Sequence, residues 1–187
     1  GSLGALRLLY IDHNALPSLP KTFCQLTALE ELHASNNELT ELPPVEALAA
    51  LATVDLSYNH FKAFPTLPES VKVVKINGNE LQHVPPAVRL PRLVSLDMGF
   101  NKLEGSLAGL ATCTSLRELV LASNVLRRFP PPLPSLKKLN VEGNEIENIP
   151  IDVYKNASLA ELNISHNQLD DLPVTLVAIT SLHLLVL

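Results

Sequence analysis

Leu116-Arg117-Glu118-Leu119-Val120-Leu121-Ala122-Ser123-Asn124-Val125-Leu126 places leucines at its first, fourth, sixth and eleventh positions and an asparagine at its ninth. The central Leu119-Val120-Leu121 alternates with period two, so a short strand here buries Leu119 and Leu121 and turns Val120 outward. Asn124 stands where the chain must leave the strand. A carboxamide there can serve backbone groups as both donor and acceptor.

The same pattern recurs along the whole chain. Leu6, Leu9, Ile11, Asn14 and Leu16 fill it first, and Leu159, Leu162, Ile164, Asn167 and Leu169 fill it for the eighth time. Eight full repeats start at residues 6, 29, 51, 71, 93, 116, 136 and 159, and a truncated ninth starts at Leu182. Starts this close and this regular imply one supersecondary unit per repeat, none able to bury its apolar face alone. Residues 1–187 are therefore expected to form a single stacked domain. The first, fourth and seventh starts, Leu6, Val71 and Leu136, are evenly spaced, as duplication of a three-repeat block would leave them.

Six residues after the asparagine, Pro20, Pro43, Pro65, Pro85, Pro130, Pro150 and Pro173 follow an apolar residue. Proline removes a donor and holds the backbone extended, so the outer segment is predicted to be extended or single 3-10 turns. The fifth repeat carries Gly105-Ser106-Leu107-Ala108-Gly109 instead, which predicts an irregularity between Leu103 and Leu110.

With these columns in place, the chain resembles the leucine-rich-repeat family in its Leu-x-x-Leu-Pro form from Leu6 to Leu187. It is similar to soluble intracellular members such as Ras-pathway scaffolds. The shorter repeats, around Phe64-Pro65-Thr66-Leu67-Pro68 and Phe129-Pro130 to Pro134, also resemble those of bacterial effectors. The resemblance implies an α/β right-handed solenoid, a horseshoe with a parallel concave β-sheet and a mostly extended or 3-10 convex side. It implies a protein partner on the concave face, but no particular one.

The concave column reads Tyr10, His33, Asp55, Lys75, Asp97, Val120, Asn140, Asn163 and Val186. The column before the asparagines carries Tyr58 and Phe100 on either side of Gly78. Two aromatics beside a glycine notch suit an apolar anchor; alternatively each ring covers its neighbour's turn. Tyr10, His33, Asp55, Tyr58, Lys75, Asp97 and Phe100 are the candidate binding residues.

Other chemistry finds little support. The six histidines lack metal-ligand spacing, and no nucleophile elbow or phosphate loop appears. The expectation is a non-enzymatic chain without cofactor. No apolar run reaches the length of a bilayer span. A net charge of −5 without an evident basic stripe argues against nucleic acid. Gly1-Ser2 lacks the charged and apolar regions of a signal peptide and reads as a remnant of cloning.

Cys24 and Cys113 lie four coils, about 19 Å, apart, too far for a disulfide. Free cysteines and the lack of cysteine-rich caps favour a cytoplasmic location. Asn156-Ala157-Ser158 and Asn163-Ile164-Ser165 are sequons by spelling, but both asparagines fall in structural columns. The function expected is a protein-interaction module of a larger intracellular scaffold. The alternatives are the recognition arm of an enzyme such as a ubiquitin ligase, or a fragment of a receptor ectodomain. An uncapped last coil leaves a route to self-association.

Overall fold

The computed structural model describes residues 3–187; the reading of Gly1-Ser2 falls outside them. Nine three-residue strands form one parallel, open, curved sheet in chain order. They are β1 (Leu8–Tyr10), β2 (Glu31–His33), β3 (Thr53–Asp55), β4 (Val73–Lys75), β5 (Ser95–Asp97), β6 (Glu118–Val120), β7 (Lys138–Asn140), β8 (Glu161–Asn163) and β9 (Leu184–Val186). Leu9, Leu32, Val54, Val74, Leu96, Leu119, Leu139, Leu162 and Leu185 pair in register at the strand centres. In β2 to β8 this central residue is buried and the residues flanking it reach the concave face.

The core is one continuous stack of these residues with the other apolar columns, such as Leu29, Leu56, Leu81 and Leu126. Asn59, Asn79, Asn101, Asn124, Asn144 and Asn167 join each coil to the one before in the same way as Asn37. Asn37 Nδ2 lies 2.9 Å from Ile11 O of the previous coil, 3.2 Å from Ala34 O and 3.2 Å from Ser35 O; its Oδ1 accepts from Leu16 N at 3.1 Å. Among the described residues no coil precedes that of Asn14, whose amide donates to Ile11 O and Asp12 O of its own coil. No buried side-chain nitrogen or oxygen among the described residues lacks a partner.

The convex side is extended chain with four 3-10 turns among the described residues: Lys21–Gln25, Ala108–Thr112, Ile151–Lys155 and Val174–Ala178. All four lie in the longest repeats, those starting at Leu6, Leu93, Leu136 and Leu159, and the shorter repeats have none. The reason is contour length. Five residues at about 2.0 Å rise span what roughly three extended residues span, so a coil with a 3-10 turn needs extra residues to close in register.

The predicted irregularity is confined to how the fifth repeat's turn begins. Three turns start from a proline in extended conformation, whereas Leu107 enters at φ −98° and ψ 15°. The turn still begins at the same position after its ladder asparagine as the others do. A Cβ on Gly109 would overlap the carbonyl oxygen of Pro85, so glycine lets this turn sit against the preceding coil.

Candidate functional site: the concave face of the sheet

The residue before each ladder asparagine has positive φ, from 51° to 67°: His13, Asn36, Tyr58, Gly78, Phe100, Ser123, Gly143 and His166. The chain must reverse there so that the asparagine can point back under the strand. Gly78, Gly143 and Asn36 were the sequence signal for this, since glycine and asparagine tolerate the left-handed region. Tyr58 and Phe100 do not belong there on intrinsic preference, and a bulky residue at positive φ is an outlier.

Both rings remain outside the core, with Tyr58 52% and Phe100 61% exposed. A Cβ on Gly78 would stand 2.5 Å from Tyr58 Cδ1 and 2.8 Å from Cε1. The Tyr58 ring therefore lies against Gly78 and occupies the notch itself. It covers its neighbour's turn with one face and offers the other to solvent.

The other candidates divide into two groups. Tyr10 and His33 stack with centroids 4.4 Å apart and planes 10° from parallel. His33 Nε2 is 3.1 Å from Glu31 Oε2, and the Tyr10 hydroxyl reaches the same carboxylate at 3.5 Å. One strand further on, Asp55 Oδ2 lies 3.8 Å from Lys75 Nζ. Asp55 Oδ1 accepts from Ser57 N at 3.1 Å, and Asp97 Oδ1 accepts from Gly99 N at 2.9 Å.

Burial raises the Asp97 carboxyl above the ordinary aspartate range; the Gly99 N–H and Lys75 oppose the shift, and Asp55 adds to it. Lys75 stands between two carboxylates of its own column, Asp55 and Asp97, and is itself exposed. Further along the sheet, Lys138 pairs with Glu161 at 3.0 Å, and its ammonium is held above the usual lysine range mainly by that hydrogen bond. Asn163 Nδ2 donates to Glu142 Oε2 at 3.0 Å. Its sequon thus sits on the concave face, while Asn156 is buried, accepting from Leu133 N at 2.8 Å. Charges of both signs alternate across this face, as Asp55, Lys75 and Asp97 in one column and as Glu118, Lys138 and Glu161 in the next.

No group of three or more histidines, cysteines or acids that could hold a metal occurs among the described residues. None of their helices is long and apolar enough to cross a membrane. Cys113 is buried and its thiol is pushed up by burial; Cys24 is partly exposed, with Sγ 3.3 Å from Lys21 O.

The leucine rich repeat family profile matches residues 134–187. Osteomodulin of Rattus norvegicus is 32% identical over 156 residues, covering 82% of this chain and 27% of that protein. Fibromodulin of Bos taurus is 30% identical over 177 residues, covering 80% of this chain and 47% of that protein. The chain thus spans less than half the length of these relatives. Among solved structures, internalin C2 of Listeria monocytogenes superposes with a TM-score of 0.86 at 22% identity, over 98% of this chain and 81% of that one, a likeness of fold.

Osteomodulin and fibromodulin are secreted extracellular matrix proteins, and this overturns the expectation of a cytoplasmic location. The inference from the cysteines failed for a physical reason. Cys113 fills an apolar column as a small hydrophobe shielded from oxidants, so an unpaired cysteine inside a coil does not report the redox compartment. The intracellular setting of the expected scaffold falls with it.

Proposed function

The chain belongs to the leucine-rich-repeat family, and from that membership we propose that it is a non-catalytic module that holds a partner protein on its concave face. Leucine-rich repeats form protein-interaction modules, and the curated relatives are non-enzymatic binding proteins. The centre of the proposed site is Asp55, Tyr58, Lys75, Asp97 and Phe100, with the stacked Tyr10 and His33 extending it toward β1.

One observation carries this reading. Phe100 is held at φ 51° with its ring 61% exposed. A left-handed bulky residue costs on the order of 1 kcal/mol, and a ring left mostly in water returns little of that through burial. Glycine, which two other repeats use at this position, would avoid the cost. A strained, uncovered aromatic beside a row of alternating charges has the composition of an interface anchor with a polar rim.

The test separates binding from folding. Phe100→Gly should leave stability unchanged or raise it by up to about 1 kcal/mol, while capture of the proteins that the unaltered chain retains falls sharply. Tyr58→Glu with Phe100→Glu should abolish that capture in a chain that still folds by circular dichroism. Capture unaffected by either change would refute the site.

A further inference from the structure

The geometry points to a second binding site, on the edge of the solenoid where the chain passes from the convex side into the strands: a groove for a linear sulfated polysaccharide. This site is independent of the concave face and uses none of its candidate residues.

The groove has a volume of about 700 Å³, room for several anionic groups rather than one. Lys72, Arg92, Arg117 and Lys137 line it: Lys72, Arg117 and Lys137 each follow the first core residue of their repeat, and Arg92 stands just before that of the repeat starting at Leu93. The alignment of Lys72, Arg117 and Lys137, with Val94 between the first two, follows from the backbone. Val94 N donates to Lys72 O, Arg117 N to Val94 O and Lys137 N to Arg117 O, each at 2.8 Å. Three coil spacings of roughly 4.8 Å give a row about 14 Å long with cations at three of its four places, and Arg92 enters the groove two residues before Val94 at the fourth.

What distinguishes this row is its lack of counter-charge. Among the described residues no carboxylate lines the groove, although the chain has 19 acids to 14 bases. Among the same residues Arg7, Lys75, Lys102, Arg127, Lys138 and Lys155 are in ion pairs with acids, and none of the four groove cations is. The acid next in sequence to Arg117 and the acid paired across from Lys138 stand at the first strand position, on the concave side: Glu118 lies near Ser95 Oγ, and Glu161 is taken by Lys138. Four exposed cations lining one groove without a counter-ion raise the local potential, and a polyanion relieves their mutual repulsion.

The rest of the lining selects the class of anion. Ser115, Ser135 and Ser158 bring hydroxyls to the same groove. Their column-mates Ser70 and Ser181 turn back on carbonyls of the previous coil, to Leu51 O at 2.6 Å and Leu159 O at 2.7 Å. Among the described residues the groove serines make no such bond, which leaves them to donate to sulfate oxygens between the cations. Among the described residues Val94 is the one apolar side chain in the lining, so a protein segment finds no pocket for a side-chain anchor. No aromatic ring among them lines the groove, so a single-stranded nucleic acid finds nothing to stack on.

The experiment titrates the chain with a size-defined heparin dodecasaccharide at physiological ionic strength, followed by calorimetry. Arg117→Glu with Lys137→Glu should weaken binding by about ten-fold or more. Lys62→Glu with Arg128→Glu makes the same change in net charge at exposed cations outside the groove, and should stay within about two-fold. Arg117→Gln with Lys137→Gln supplies a milder loss if the reversal perturbs folding. The proposal is overturned if the unaltered chain does not bind, if both charge reversals weaken binding equally, or if desulfated heparin or an oligothymidylate binds as tightly as heparin.

Discussion

Asn124 makes more connections than its size suggests. Its amide lies 3.1 Å from Met98 O, 3.0 Å from Leu121 O and 3.3 Å from Ala122 O, and its Oδ1 accepts from Leu103 N at 2.9 Å. Deleting it leaves buried backbone groups of two coils without partners, and one unsatisfied group costs about 1–3 kcal/mol. Asn124→Ala should therefore lower stability by at least about 1–3 kcal/mol in urea unfolding. Asn14→Ala, exposed and bonded only within its own coil, should cost no more than about 0.5 kcal/mol. Equal losses at the two positions would mean that the inter-coil bonds add nothing. The asparagines were legible in the sequence because they recur at one spacing. The left-handed residue before each was not, since Tyr58 and Phe100 hide a conformation that only Asn36, Gly78 and Gly143 advertise.

Among strands and turns, the coils tolerate different outer segments because the sheet sets the register and the convex side absorbs the change in length. The Ala108–Thr112 turn shows the limit of that tolerance. Gly109 is buried, and its carbonyl accepts from Val88 N at 3.1 Å while its missing Cβ makes room for Pro85 O. Gly109→Ala must push the turn off a backbone group that cannot rotate away, and overpacking of this kind costs about 1–3 kcal/mol. Gly105→Ala is a useful comparison, because nothing lies within 4 Å of a Cβ there and only its φ of 76° opposes the change. Gly109→Ala is expected to lower the thermal midpoint more than Gly105→Ala does, as differential scanning calorimetry would show. The spacing marked Gly105 to Gly109 as a departure, yet it could not say that the turn would keep its place. That depends on the Pro85–Pro86 segment of another coil.

In the solenoid taken entire, each coil touches chiefly its two neighbours, so stability is a sum of coil and interface terms. The central strand residues are buried from β2 to β8, whereas Leu9 of β1 and Leu185 of β9 are only half-buried, with a partner strand on one side. Native-state hydrogen exchange should find the slowest amides in β3 to β7 and the fastest strand amides in β1 and β9. Uniform protection from end to end would instead indicate a single cooperative unit. The coil itself could be read from the chain, because alternation in the strand, the asparagine and the following proline act within one repeat, where local chemistry suffices. So could the identity of the residues that face outward along the sheet. What stands beside what across coils came from the stacking alone. Lys72, Arg92, Arg117 and Lys137 come from three repeats and looked like scattered charges; the stack gathers them along one groove. The Tyr58 ring likewise fills the Gly78 notch rather than flanking an empty one. Such neighbours are set by the rise from coil to coil, a distance that no single repeat encodes.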